Sequence, residues 1–138
     1  MAITYLDSSA IVKLAVMEPE SVALRRYLRR RRPVVSSALA RTEVLRALLH
    51  VGGDALSAGR KVLASIDLIR INDRVLNAAG VLVPLALRSL DAIHMATAQQ
   101  LSSDLGQLIT YDERVAEAAG QLGITVASPG KSGLPQAQ

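Results

Sequence analysis

The segment ITYLDSSAIVK, residues 3–13, decides the fold. Ile3 to Leu6 is short, apolar or β-branched, and bounded at once by polar residues, which is the pattern of a buried strand. Asp7, Ser8 and Ser9 then lead into a second apolar segment, so a carboxylate sits where strand gives way to helix. An aspartate at such a junction has three ordinary uses: helix cap, phosphoryl acceptor or metal ligand. The remainder of the chain has to discriminate among them.

Further strand-like runs occur at Val34 to Ser36, Leu68 to Ile71, Leu108 to Tyr111 and Ile124 to Ala127. Helical patterns separate them. Pro19 and Glu20 open a helix that ends in an arginine run; SALARTEVLRALLHVGG, residues 37–53, reads as a helix stopped by Gly52 and Gly53; DALSAGRKVLAS, residues 54–65, is another. Ser89 is expected to cap LDAIHMATAQQL, and Asp112 or its neighbour opens the last helix, with Gly123 as its stop. Strands joined through helices, without hairpin dipeptides, imply crossover connections. They predict a three-layer α/β/α domain on a central, mostly parallel sheet of about five strands. The domain is expected to span residues 1–127, with 128–138, SPGKSGLPQAQ, as a flexible C-terminal tail.

A chain of 138 residues suits one domain. It lacks Phe and Trp and has three Tyr, so aliphatic residues and Ala must build the core. Absence of Cys excludes disulfides, thiolate metal sites and Cys nucleophiles. The longest apolar run, VLVPLAL at residues 81–87, is too short to span a bilayer, and a soluble, cytoplasmic protein is expected. Sixteen Lys and Arg against twelve Asp and Glu give a net charge of +4, and six of the arginines lie in RRYLRRRRP, residues 25–33. That run points to an anionic partner or, equally, to a solvated helix end that complements the macrodipole.

The GKS at residues 130–132 resembles part of a phosphate loop, but the first Gly would have to stand where Thr125 does. A phosphatase of the Asp-x-Asp type would need an acid at position 9, which is Ser9, and a receiver domain an acidic pair after the first strand. The carboxylates make most sense together. Asp7 and Asp112 both follow strands, and in a parallel sheet both emerge at the carboxyl edge, where open α/β sheets bind ligands. Asp91 lies in the first turn of its helix, and Glu43 borders the Val44, Leu45, Leu48 stripe. Singly, each has a structural explanation as a cap or as a surface partner, Glu43 with Arg46 for example. Collected, they would have to take up protons or bind a cation, and a hard divalent ion suits an oxygen-only site.

The segments YLDSSAIVK (5–13), RTEVLRAL (41–48), RSLDAIHMATA (88–98) and LITYDERV (108–115) together resemble the four acidic motifs of PIN-domain ribonucleases, in particular the VapC toxins of toxin–antitoxin pairs. The resemblance implies a sheet that gathers Asp7, Glu43, Asp91 and Asp112 into one catalytic pocket, with Ser9 and Thr110 as supporting hydroxyls. It also implies Mg²⁺, or Mn²⁺, held by Asp7, Asp91 and Asp112 while Glu43 handles the attacking water, giving 3′-hydroxyl and 5′-phosphate RNA ends. Arg29, Arg30, Arg31 and Arg32 become candidates for holding RNA phosphates, with Lys13, Arg46 and Arg88 behind them. His94 is expected to be structural rather than a general base. A cognate VapB-type antitoxin and a homodimer are the implied partners, and the helical segments Ile11 to Val16 and Val22 to Leu28 are candidates for the antitoxin groove. A receiver-like phosphoacceptor and a non-catalytic binding module are the alternatives.

Overall fold

A computed structural model describes residues 2–131. Five strands, β1 (Ile3–Leu6), β2 (Val34–Ser37), β3 (Asp67–Ile69), β4 (Leu105–Ile109) and β5 (Val126–Ala127), form one sheet in the order β3-β2-β1-β4-β5. Every pairing is parallel, so the mostly parallel sheet expected is wholly parallel. From β1 the chain first builds outward through β2 and β3, then crosses back to lay β4 and β5 on the other side. The reversal falls between β1 and β4, and the crevice outside the carboxyl ends at such a point is where doubly wound sheets hold ligands.

Seven α-helices cover the sheet: α1 (Ser8–Ala15), α2 (Ser21–Leu28), α3 (Ala40–Leu48), α4 (Gly53–Ser65), α5 (Asp73–Gly80), α6 (Ser89–Gln99) and α7 (Glu113–Gln121). Side chains that alternate along each strand feed two separate cores, as the two-residue period of a strand requires. Leu6, Val34 and Ile109 join Ile11, Leu24, Val44 and Leu48 of α1 to α3 on one face. Tyr5, Val35 and Leu108 join Met95, Ala98, Val115 and Ala119 of α6 and α7 on the other. The aliphatic interior expected from composition holds, with Tyr5 as its one fully buried aromatic among the described residues.

The differences from expectation are local. Gly53 opens α4 with Gly52, at φ +130°, in the N-cap position, while α3 has already ended at Leu48, so the glycines start a helix as well as separating two. Arg88 holds the N-cap position of α6 and Ser89 is its first helical residue; no side chain caps this end. Strand β4 begins at Leu105, three residues before the apolar run that signals it, because Leu105 and Gln107 pair with Ile3 and Thr4 of β1. Helix α5 is capped by Asn72, whose side chain accepts the Val75 N–H.

Beyond Ala127 the chain stays attached as far as it is described. Ser128 is buried and donates to the Thr110 carbonyl at 2.6 Å, and the Pro129 carbonyl accepts the Tyr111 hydroxyl at 2.8 Å. Gly130, at φ +83°, lies so close to Ala23 that a Cβ there would come within 2.8 Å of the alanine methyl. Residues 132–138 of the expected tail, including the Ser of GKS, lie outside the described residues. No helix among the described residues is long and apolar enough to cross a membrane.

Candidate active site

Asp7 is both cap and anchor. Its Oδ1 accepts the Ala10 N–H at 3.1 Å, closing the first turn of α1, and the Ser9 hydroxyl at 2.6 Å. Its Oδ2 accepts the Thr110 hydroxyl, and its own N–H donates to the Ile109 carbonyl at 3.2 Å. Ser9 Oγ in turn accepts the Tyr111 N–H at 3.0 Å, and Thr110 Oγ1 accepts the Asp112 N–H at 3.1 Å. The ends of β1 and β4 are therefore sewn together through the two hydroxyls expected to support the site. The Asp7 side of this junction is only 5% exposed, and burial pushes its carboxyl above the usual range despite the bonds from Ser9 and Thr110.

Asp112 also caps its helix, its Oδ1 accepting the Arg114 and Val115 N–H groups at 2.9 and 3.5 Å. Its Oδ2 and both oxygens of Asp91 have no protein hydrogen-bond partner among the described residues. Asp91, half-buried in the first turn of α6, is raised first by burial and then by the charges of Asp112 and Asp7, with Glu43 adding to them and His94 opposing. Asp91 thus feels the charges of Asp112, Asp7 and Glu43 near the β1/β4 reversal. Helix caps explain Asp7 and Asp112 locally, and their effect on Asp91 is what the caps leave unexplained.

Glu43 does not pair with Arg46. Its Oε1 accepts the Ser8 hydroxyl at 2.6 Å and faces His94 Nε2 at 2.6 Å, while Oε2 has no protein partner among the described residues. Burial alone would raise its carboxyl, but the bonds from His94 and Ser8 outweigh it and hold the group low. His94, 3% exposed, is gripped on its other side by Tyr5, whose hydroxyl lies 2.8 Å from Nδ1 with the two rings edge to face at 5.9 Å. Ser8, His94 and Tyr5 were not assigned to the site from sequence. His94 is buried, as expected of a structural histidine, but its partners lie 51 and 89 residues away, beyond the reach of helix periodicity.

A divalent cation fits this donor set. It is all oxygen, Asp112 Oδ2, both Asp91 oxygens and Glu43 Oε2 have no protein partner among the described residues, and a cation would offset the acidic charges that add to burial in raising Asp91. Among the described residues no three acid or imidazole groups converge closely enough to enclose an ion. One or two direct carboxylates with retained waters is the arrangement Mg²⁺ favours.

Arg29 to Arg32 lie elsewhere. They precede Pro33, whose carbonyl accepts the Thr4 N–H at the start of β1, so they sit at the amino edge of the sheet. Asp7 follows the carboxyl end of the same strand, about 13 Å away for four residues. Arg29, Arg30 and Arg31, with Arg26 and Tyr27, line a concavity of about 540 Å³ walled by Pro129 and Gly130. Lys13 is occupied by Glu20 and Glu18, at 2.8 and 3.2 Å, and covers the Tyr111 ring. Arg31 likewise covers Tyr27 at 3.6 Å, so both candidate stacking rings already carry a cation on one face.

The PIN domain family model matches residues 4–121, and the chain is 64% identical over 129 residues to Ribonuclease VapC46 of Mycobacterium tuberculosis, covering 94% of this chain and 99% of that protein. The chain belongs to the VapC ribonucleases of the PIN-domain family. Ribonuclease VapC35 of the same organism is 42% identical over 93% of this chain and 98% of its own length. In fold, the VapC-family chain is similar to a chain of a toxin–antitoxin complex from Klebsiella pneumoniae, with TM-score 0.69, 24% identity and coverage of 94% and 98%. It is also similar to M. tuberculosis VapC20, described as a sarcin–ricin loop cleaving toxin, with TM-score 0.68, 18% identity and coverage of 83% and 94%. Membership among ribonucleases displaces the receiver and the non-catalytic module as accounts of the chain.

Proposed function

We propose that this VapC ribonuclease is the toxin of a toxin–antitoxin pair, and that it hydrolyses RNA phosphodiesters in the crevice bounded by Asp7, Glu43, Asp91 and Asp112. The observation that carries the assignment is the junction of the β1 and β4 ends, where Ser9 and Thr110 tie Asp7 to the strand that leads into Asp112, in a chain 64% identical to a VapC ribonuclease. Asp7, Asp91 and Asp112 would hold Mg²⁺ or Mn²⁺. Such an ion, when bound, lowers the pKa of water and neutralises charge on the phosphate. Glu43, with Oε2 open, orients the attacking water and accepts its proton. Water oxygen bonds to phosphorus as the bond to O3′ breaks, leaving a 3′-hydroxyl and a 5′-phosphate. Ser9 and Thr110 hold Asp7 in place and keep the two strand ends together.

Negative charge at the carboxyl edge repels RNA, and the opposite edge attracts it. Arg29 to Arg32 are too far from Asp7 to touch the scissile phosphate, and we assign them to phosphates flanking it. With both accessible tyrosines already capped by a cation, recognition by shape and backbone is favoured over a base-stacking platform. The antitoxin would cover the acidic crevice in the cytoplasm. Of the expected groove residues, Ile11, Leu24 and Leu28 are core, which leaves exposed Val22 and neighbouring Met17. A second copy of the chain suits the apolar surface of Val81, Val83 and Leu85, the last 94% exposed.

The test is cleavage of a structured RNA pool by antitoxin-free protein in Mg²⁺, beside Asp91→Asn and an EDTA control. Cleavage with 5′-phosphate ends, lost in both controls, is expected. Ends carrying 2′,3′-cyclic phosphate, or cleavage unchanged in Asp91→Asn, would overturn the assignment.

A further inference from the structure

We propose that His94, held by Tyr5, is a positioning residue that clamps Glu43 in its working orientation. A glutamate carboxylate only accepts, so the 2.6 Å contact requires the proton on His94 Nε2. In the neutral ring Nδ1 is then an acceptor, matched by the Tyr5 hydroxyl at 2.8 Å. Tyr5 is itself a strand residue with no exposed surface, crossed edge to face with the imidazole. The clamp therefore starts in the rigid sheet, passes through a buried ring on α6 and ends on a half-buried acid of α3. Ser8 adds a second donor to the same oxygen at 2.6 Å.

Both donors act on Oε1 and none on Oε2 among the described residues. A glutamate free to rotate about three side-chain bonds would sample many directions; one oxygen fixed from two sides restricts the directions open to the other. A role confined to packing would not need a donor–acceptor chain that ends on an acid whose charge reaches Asp91. The inference deepens the ribonuclease assignment and rests on Glu43 being the group that handles water.

The test compares steady-state cleavage by wild type, His94→Ala, His94→Gln, Tyr5→Phe, Glu43→Gln and the double variant Glu43→Gln/His94→Ala, with folding of each followed by thermal melting. His94→Ala should lower kcat about tenfold to a hundredfold with KM within about twofold, the size of effect that loss of alignment produces. His94→Gln, which can still donate to Glu43, should recover part of it, and Tyr5→Phe, which keeps the ring, should lose less. The double variant should be no slower than Glu43→Gln alone, because a clamp has nothing to act on once its target is gone. Losses that multiply, or a folded Tyr5→Phe and His94→Gln both at wild-type kcat, would overturn the clamp. In metal-free protein, imidazole ¹⁵N spectra should place the His94 proton on Nε2 and shift in Glu43→Gln; a ring protonated on Nδ1 alone would overturn it without any assay. Wild-type protein that cleaves no RNA would count against the ribonuclease assignment instead, and the spectra would still decide the clamp.

Discussion

The two edges of the sheet hold opposite charges and were built in opposite ways. At the carboxyl edge the acids come from four separate segments, two of them are locked by helix-capping bonds, and Asp91 is raised first by burial and then by the charges of its neighbours. At the amino edge, arginines from one continuous run spread into solvent, Arg29, Arg30 and Arg32 exposed, with only Arg31 fixed on Tyr27. At the first edge burial and neighbouring charge both oppose ionisation of Asp91, and a bound cation or proton would relieve them. The second stores almost no repulsion, since water already screens it. A site for chemistry tolerates the former, and a surface for steering a polyanion needs only the latter.

The comparison breaks most visibly if neutralising the acidic edge costs stability. Asp91→Asn should lower cleavage by about a hundredfold or more, the scale seen when a preorganised charge is removed. The same variant should leave the metal-free fold unchanged or more stable, by less than about 1 kcal/mol because the group is half-exposed. Urea unfolding with and without Mg²⁺ measures both sides: Mg²⁺ should stabilise wild type and do so less in the variant. A variant less stable than wild type without metal would mean that Asp91 is held by contacts rather than strained by charge.

Cutting the bond between strand ends sharpens the same contrast. Thr110→Val removes a donor from buried Asp7 and an acceptor from the Asp112 N–H, and should cost about 1–3 kcal/mol of stability, the penalty for orphaned buried polar groups. Cleavage should fall with it. Equilibrium denaturation reads the loss, and an unchanged midpoint would show that the hydroxyl is dispensable to the junction.

The smallest effect belongs to the amino edge. Replacing Arg29 to Arg32 with Gln should weaken RNA binding about tenfold at low salt and flatten its salt dependence, since each phosphate contact on a single strand contributes about 0.7 to that slope. Stability should move by less than about 0.5 kcal/mol, as at most exposed positions. Affinity and slope both unchanged in a binding titration would return the run to a solvated helix end.

Much of this was legible before any coordinates. Short runs rich in Val, Ile and Leu located all five strands, because strands of a parallel sheet covered on both faces are mostly apolar. A mostly parallel sheet followed from the helices between them, and every pairing proves parallel. Asp7 and Asp112 were placed at strand ends by sequence adjacency alone, and both cap the helices that follow. Leu105 to Gln107 escaped notice because Gly106 and Gln107 carry no apolar signal; their strand character comes from pairing with β1. Ser89 as a cap failed for a related reason, since the cap position depends on where the backbone turns rather than on which residue would cap best.

What the sequence by itself determined is local: which segments are strands, which helices they alternate with, and which acids and hydroxyls the chain commits to the family's motifs. These follow from periodicity and residue chemistry over a few positions, and patterning of that range survives any arrangement in space. Only the tertiary structure decided that Glu43 is gripped by Ser8, 35 residues away, and by a histidine fixed to Tyr5. Only it placed the arginine run at the far edge of the sheet and packed Ser128 to Gly130 against Thr110, Tyr111 and Ala23. Hydrogen bonds a few ångströms long between residues tens of positions apart exist only after the crossovers have closed, and no pattern along the chain encodes them.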